Sequence, residues 1–175
     1  DEVQAKIAKI DEILTTMSFG DVPVTRQPLS PNEPTAVVLV EKYNGTGIHL
    51  MLNVMRLFGP RFKQFIFVSV GPIDSGHFKG VDELAALDAT VKKEAEKYVV
   101  MARSYGLKAE ARTSLAIDYV EEIERLCQEI HREFSNTVFF AARLLFWKDT
   151  FWSRLLHNET PLALQRRLLF SGLQF

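Results

Sequence analysis

Three short apolar runs and one stretch of alternating apolar and polar residues are separated by amphipathic stretches through most of the chain. Strands buried on both faces are typically apolar throughout, whereas helices that cover a sheet repeat their apolar positions every three or four residues. Residues 48–58 and 81–105 have helical spacing, and in the second of these stretches Tyr98 is one of the inward positions. The apolar runs predict strands at "TAVVLV" (35–40), "QFIFVSV" (64–70) and "NTVFFAA" (136–142), and the alternating "LKAEAR" (107–112) predicts a strand with one face less buried.

Helix-ending and helix-starting residues fit the same alternation. Gly106 is placed to end the long helix, and Thr113 or Ser114 to cap the next one, which has Ile117 on its predicted inner face. Thr160 and Pro161 open a last helix that Gly172 closes, and "LQF" (173–175) begins a fifth strand. Strands separated by single helices predict an α/β fold: a doubly wound, five-stranded parallel sheet with helices on both faces.

The first 34 residues have a different pattern. Residues 2–17 have the apolar spacing of an amphipathic helix, and residues 21–35 contain four of the seven prolines, which is typical of an extended linker. We therefore expect two parts, an N-terminal helix with a proline-rich linker (1–34) and one α/β domain (35–175). Because the chain begins at Asp1 and ends as a strand begins, we interpret it as part of a longer polypeptide; a natural end with a short edge strand is the alternative.

Composition narrows the functional classes. Hydrophobic residues make up 47% and charged residues 25% of the 175, as in globular proteins. The net charge of −1 gives no reason to expect nucleic acid as a partner. A single cysteine, Cys127, fits a reducing compartment and lies on an apolar helix face, where inert core is the expectation. No apolar stretch is long enough for a membrane span.

The turn after the first strand is the best candidate for binding a small ligand. Asn44, Gly45, Thr46 and Gly47 would bring backbone N–H groups to the start of a helix, where anions bind. The spacing matches neither common phosphate-binding fingerprint, so a simple turn relieved by glycine is the alternative.

No set of residues predicts catalysis. Asp74, Ser75 and His77 lie close together in the loop 71–80, but neighbours along a loop rarely have the geometry of a nucleophile and its base. A hydrolase using Ser75 and His77 is the enzymatic alternative, and a solvated polar loop is the simpler one. The four histidines have no metal-ligand spacing. We expect neither an enzyme nor a cofactor.

The stretch 139–158 holds both tryptophans and no glycine. It allows three interpretations: a loop folded over the sheet edge as core, an interface with a membrane domain or a second copy, or a helix lying in a membrane surface. The predicted interface residues are Phe146, Trp147, Phe151, Trp152 and Arg154.

With this order of elements, residues 35–175 resemble the universal stress protein domain, notably at "SYGLKAEART" and "NTVFFAA". Nucleotide-binding members of that family carry a glycine-rich phosphate loop after the fourth strand. Here Gly106 is the only glycine between residues 81 and 171, so the resemblance implies a domain that does not bind ATP.

The sequences "VVLVEKYNGTGIHLMLNVMRLFG" and "NTVFFAARLLFW" are also similar to those of cytosolic C-terminal domains of bacterial amino acid–polyamine–organocation permeases. That resemblance implies a regulatory or assembly domain on the cytoplasmic side of the plasma (inner) membrane. Its partner would be the transmembrane domain of the same polypeptide, and the edge at the fifth strand would allow a homodimer. A free-standing stress protein that binds a nucleotide or small anion is the alternative.

Overall fold

The structure is a computed structural model that describes residues 27–74, 76, 80–141, 165–167 and 169. Four parallel strands form one sheet in the order β3-β2-β1-β4, which confirms the α/β class and the parallel sheet. The fifth strand, the N-terminal helix and the aromatic residues 142–158 lie outside the described residues. In chain order the elements are β1 (Thr35–Leu39), α1 (Gly45–Phe58), a 3₁₀ turn (Gly59–Arg61), β2 (Gln64–Pro72), α2 (Val81–Ser104), β3 (Lys108–Ala116), α3 (Tyr119–Glu133) and β4 (Thr137–Ala141).

Helices cover both faces of the sheet. Helices α1 and α2 pack on one face, where Tyr98, Met51 and Phe67 are buried. Helix α3 packs on the other face, where Ile130 and Phe139 are buried. Because β1 and β2 lie between both layers, their side chains are buried in alternation on the two sides, and this explains why their sequences are apolar without interruption.

Strand β3 and helix α3 differ from the prediction. The strand runs to Ala116, because β2 itself extends to Pro72 and stays paired with β3 along its whole length. Thr113 and Ser114 are therefore ladder residues, and the expectation that one of them caps α3 is wrong. The cap is Asp118, whose Oδ1 accepts a hydrogen bond from Glu121 N at 3.0 Å. Ile117 precedes the helix and is 65% exposed, so it is not an inner-face residue.

Helix α2 ends as the sequence predicts. Gly106 has a φ of +76°, a left-handed conformation that glycine adopts without steric cost. Its N–H donates to the carbonyl of Arg103 at 2.8 Å, and the N–H of Leu107 donates to that of Ala102 at 3.2 Å. This pair of bonds is a Schellman motif, and it turns the chain directly into β3.

Residues just before β1 are attached to the amino end of the sheet. Gln64 is completely buried there, and its Oε1 accepts from Ser30 N at 2.9 Å. Its Nε2 donates to the Ser30 carbonyl at 2.8 Å and to Thr35 Oγ1 at 2.6 Å. Lys108 Nζ lies 3.0 Å from a carboxylate oxygen of Glu33. These contacts satisfy a buried amide and hold this end of the predicted linker against the domain.

Among the described residues, no helix has the length and apolar character needed to cross a membrane.

Candidate functional site

The sheet order defines where a ligand would be expected. From β1 the chain steps outward to β2 and β3, then returns to place β4 on the other side of β1. In open α/β sheets ligands bind beyond the carboxyl ends of the strands, at the point where the order reverses. Here that point lies between β1 and β4. Of its two loops, the one between β1 and α1 is described, and the chain beyond Ala141 is not.

The four predicted ligand residues form the start of α1. The helix begins at Gly45, three residues before the predicted start at position 48, because Asn44 caps it. The side-chain oxygen of Asn44 accepts from Gly47 N at 2.9 Å, and its carbonyl accepts from Ile48 N at 3.1 Å. The Gly47 N–H, one of the otherwise free N–H groups that could approach an anion at a helix start, is thus already bonded within the turn.

A tyrosine of α2 fills the space beside this turn. The hydroxyl of Tyr98 donates to the Lys42 carbonyl at 2.9 Å and accepts from Asn44 N at 3.2 Å. A Cβ atom on Gly47 would lie 2.7 Å from Tyr98 Cζ and closer still to the hydroxyl oxygen. Tyr98 itself is completely buried. The protein's own side chain therefore accounts for the glycine at position 47.

A carboxylate of α2 bonds the same loop one residue earlier. Glu94 Oε2 accepts from Tyr43 N at 3.1 Å, while Glu94 Oε1 lies 2.6 Å from Lys97 Nζ. The Tyr43 ring packs edge-on against Tyr98, with centroids 5.0 Å apart, and Lys97 Nζ lies 5.5 Å from the Tyr43 centroid. Loop and helix are thereby joined by hydrogen bonds, an ion pair and ring contacts.

The electrostatics of this loop are unfavourable for a phosphate. Burial raises the pKa of Glu41, with Lys42 acting in the opposite direction. Burial also raises the pKa of Tyr98 far above its usual value, so its hydroxyl remains a neutral donor. Glu94 adds a carboxylate at the position where a loop N–H would otherwise be open to an anion. Because Lys97 is already paired with Glu94, its charge is not available to bind a phosphate at this loop.

The other sequence candidates are not assembled into a site by the described residues. The carboxylate of Asp74 accepts from Gly76 N at 2.9 Å, and Ser75 and His77 lie outside the described part of the chain. Phe146, Trp147, Phe151, Trp152 and Arg154 also lie outside it. Within the described part, no three His, Cys, Asp or Glu side chains come together as metal ligands would.

Cys127 is buried in the core beneath α3, as predicted. Burial, aided by the nearby Glu124 carboxylate, raises the pKa of its thiol to about 12. The thiolate, which is the reactive form, is therefore scarce in the folded protein.

Sequence reasoning missed the roles of Glu94 and Tyr98. The apolar spacing placed Tyr98 correctly on the inner side of the long helix, but it gave the residue only the role of an apolar core side chain. The available signal was the spacing of the two residues: positions 94 and 98 are one helical turn apart, so both face the same neighbour. A carboxylate and a phenol on one inward stripe require polar partners, and the loop after β1 provides them.

Fold and site define an α/β protein in which the loop after the first strand is held by side chains of its second helix. A scan of protein families finds no match to this chain, and neither does a search of curated proteins.

Proposed function

We propose that this chain is a non-catalytic regulatory or assembly domain on the cytosolic side of a membrane transporter, with a universal stress protein-like fold. The observation that carries the proposal is the internal closure of the β1–α1 loop. The side chains of Glu94, Tyr98 and Asn44 each accept from one N–H group of this loop, as expected for part of a scaffold. The sequence resemblance to permeases is the reason for proposing that the larger protein is a membrane transporter.

One contact supports the five-stranded arrangement. Residues 165–167 and 169 are helical, and Arg167 Nη1 lies 3.4 Å from Glu124 Oε2 on α3. Because crossovers between parallel strands are right-handed, a helix leading from β4 to a strand beyond it must lie on the α3 face. The contact with Glu124 puts the last helix beside α3, as a fifth strand next to β4 requires.

Exposed apolar side chains near β4 support a contact surface. Phe140 of β4 packs against Phe58, with ring centroids 5.3 Å apart, yet Phe58 remains 42% exposed and Leu57 69%. The aromatic stretch predicted to contact the transmembrane domain follows β4 directly in sequence. Exposed apolar patches mark interaction sites, and we propose that Leu57 and Phe58 belong to one.

Fractionation of cells that make the native protein tests the transporter context. An antibody against this chain should detect a membrane-bound polypeptide much larger than the 20.0 kDa of these 175 residues. Alkaline carbonate should not release it, because a covalently joined transmembrane domain would hold it in the bilayer. A band near 20 kDa in the soluble fraction would refute the proposal.

A nucleotide- or anion-binding stress protein is the second candidate. It is favoured by the position of Asn44–Gly47 at a helix start, at the carboxyl end of β1. Thermal unfolding with ATP, ADP, AMP and inorganic phosphate tests it. A ligand at about 100 times its Kd adds roughly 2.7 kcal/mol to stability. We expect no shift, and a clear shift with any one of these ligands would favour the second candidate.

A further inference from the structure

Strand β3 ends the described sheet on one side, and its backbone direction fixes which groups point outward. Lys108 N donates to the Lys63 carbonyl at 3.0 Å, and the Ala116 carbonyl accepts from Ile73 N at 2.8 Å. Even-numbered residues of β3 therefore bond to β2. The N–H and C=O groups of the odd-numbered residues, Ala109, Ala111, Thr113 and Leu115, point away from the sheet.

This edge is long and regular. Its nine residues pair one-to-one with β2 without an inserted residue, and they include no proline. Proteins usually protect edges with short strands, bulges, prolines or charged side chains, and of these β3 has only the charges of Lys108, Glu110 and Arg112. Among these outward groups, the Ala109 carbonyl accepts a hydrogen bond from Arg103 Nη2 at 2.8 Å. No described strand lies on the outer side of β3.

The side chains along β3 differ between its two faces. On the α3 face, Arg112 Nε lies 2.8 Å from Glu110 Oε1, and Arg112 Nη2 lies 2.9 Å from Glu133 Oε1. On the other face the residues flanking Ala111 are small, namely Ala109 and Thr113. A recess of about 410 Å³ opens at this point of the edge, lined by Glu96, Arg103, Glu110, Ala111 and Arg112. On this face β3 itself therefore presents only small side chains to a neighbouring strand, while Glu96 and Arg103 of α2 line the recess beside them.

We propose that β3 is a self-association edge, on which a second copy of this chain adds its own β3 antiparallel about a two-fold axis at Ala111. The two four-stranded sheets then become one continuous sheet. This proposal concerns the β3 edge, opposite the predicted fifth strand, and does not depend on the transporter context.

Charge and the length of the overlap together select the register. An axis at Ala109 would also pair opposite charges, Glu110 with Lys108, but only residues 108–110 of β3 would then face each other, against 108–114 with the axis at Ala111. Outward residues must face outward residues, so the axis passes through a residue of β3. With the axis at Ala111, Glu110 of each copy lies opposite Arg112 of the other. These even-numbered residues are non-hydrogen-bonded pairs, whose Cα atoms approach to about 4.5 Å, so the opposite charges interact closely. With the axis at Arg112, two guanidinium groups oppose each other, and with the axis at Glu110, two carboxylates do.

An axis at Thr113 avoids repulsion but places Arg112 opposite Ser114, and no charge is matched. With the axis at Ala111, the Ala109 carbonyl accepts from Thr113 N of the second copy. It keeps its bond from Arg103, because a carbonyl oxygen has two lone pairs. The edge is thus complementary to itself, which is why we assign it to a second copy rather than to an unrelated peptide.

Sedimentation of two charge-reversed variants, separately and mixed, tests the proposal. The native chain should dimerise as its concentration rises toward about 1 mM, where an association of about −4 kcal/mol is half complete. Arg112→Glu places two carboxylates opposite each other at each contact, and Glu110→Arg places two guanidinium groups there, so each variant alone should remain monomeric. In an equimolar mixture every contact again pairs opposite charges, and a heterodimer should form.

The double variant Glu110→Arg/Arg112→Glu should dimerise like the native chain, since it reverses both partners of each pair. Lys92→Glu disrupts an exposed ion pair with Asp88 on α2 and serves as the control that leaves association unchanged. Circular dichroism identifies any variant that fails to fold, and the double variant then carries the test. A native chain that stays monomeric, single variants that dimerise normally, or a mixture of folded variants that stays monomeric would each overturn the proposal.

Discussion

Replacing Gly47 with alanine should destabilise the protein, although alanine is the better helix former. The added Cβ would lie 2.7 Å from Tyr98 Cζ and closer to the hydroxyl. Tyr98 cannot withdraw freely, because its ring is completely buried and stacks on Phe67 with centroids 5.3 Å apart. The substitution must therefore displace the hydroxyl from the Lys42 carbonyl and from Asn44 N.

The size of the effect follows from these contacts. Two lost hydrogen bonds cost about 1 kcal/mol each, and overpacking a core costs about 1–3 kcal/mol. Better helix propensity returns at most about 1 kcal/mol. We expect a net loss of about 2–4 kcal/mol in the free energy of unfolding, measured by urea denaturation.

A double-mutant cycle with Tyr98→Phe isolates the cause. Because phenylalanine lacks the hydroxyl, Gly47→Ala should cost less in the Tyr98→Phe background than in the native protein. Thr46→Ala, at an exposed position of the same turn, is the control and should change stability little. A Gly47→Ala protein as stable as the native one, or costs that simply add in the cycle, would refute the packing explanation and reopen a ligand as the reason for this glycine.

Three further predictions concern the same end of the sheet and the core. Asn44→Ala should lower the free energy of unfolding by about 1 kcal/mol in urea denaturation, whereas Asn44→Asp, which keeps an accepting oxygen, should be nearly neutral. Burial raises the folded-state pKa of Glu41 above its ordinary 4.5, so the folded protein binds that proton more tightly and loses stability as pH rises from 4.5 through the folded-state pKa. Glu41→Gln should therefore be more stable than the native protein at neutral pH, with an advantage that disappears below pH 4.5 in the same assay; an advantage that grew on acidification would contradict the sign. Because Cys127 is buried with a pKa of about 12, a thiol reagent should label it only in denaturant, and labelling of the native protein at the rate of a free thiol would show that the helix opens.

The pattern of apolar positions was sufficient to predict the four described strands and their parallel arrangement. That success has a physical basis, because strands buried between two helical layers are apolar throughout, as β1 and β2 are, while the half-buried edge strand β3 shows alternation instead. The ends of elements were less predictable. The extension of β3 to Ala116 follows from its pairing with β2, and a local pattern cannot reveal a partner strand. The hydroxyl groups of Thr113 and Ser114 could each cap a helix, but both residues belong instead to the part of β3 that pairs with β2.

The candidate ligand turn shows the same limit in another form. A glycine pair at the start of a helix is compatible with a bound anion and with a close approach by the protein's own side chains. The sequence "NGTG" (44–47) fits either explanation equally well. Here the deciding residues are Glu94 and Tyr98, about fifty positions later in the chain, which reach the loop across the top of the sheet. A carboxylate bonded to the loop N–H of Tyr43 provides what an anionic ligand would otherwise provide. A ligand that bound the Tyr43 N–H would have to displace the Glu94 carboxylate. That displacement would break the ion pair between Glu94 and Lys97 and leave the Glu94 charge without a partner. The N–H groups of Tyr43, Asn44 and Gly47 are therefore all bonded within the protein, and an anion at this loop would have to displace the protein's own side chains from them.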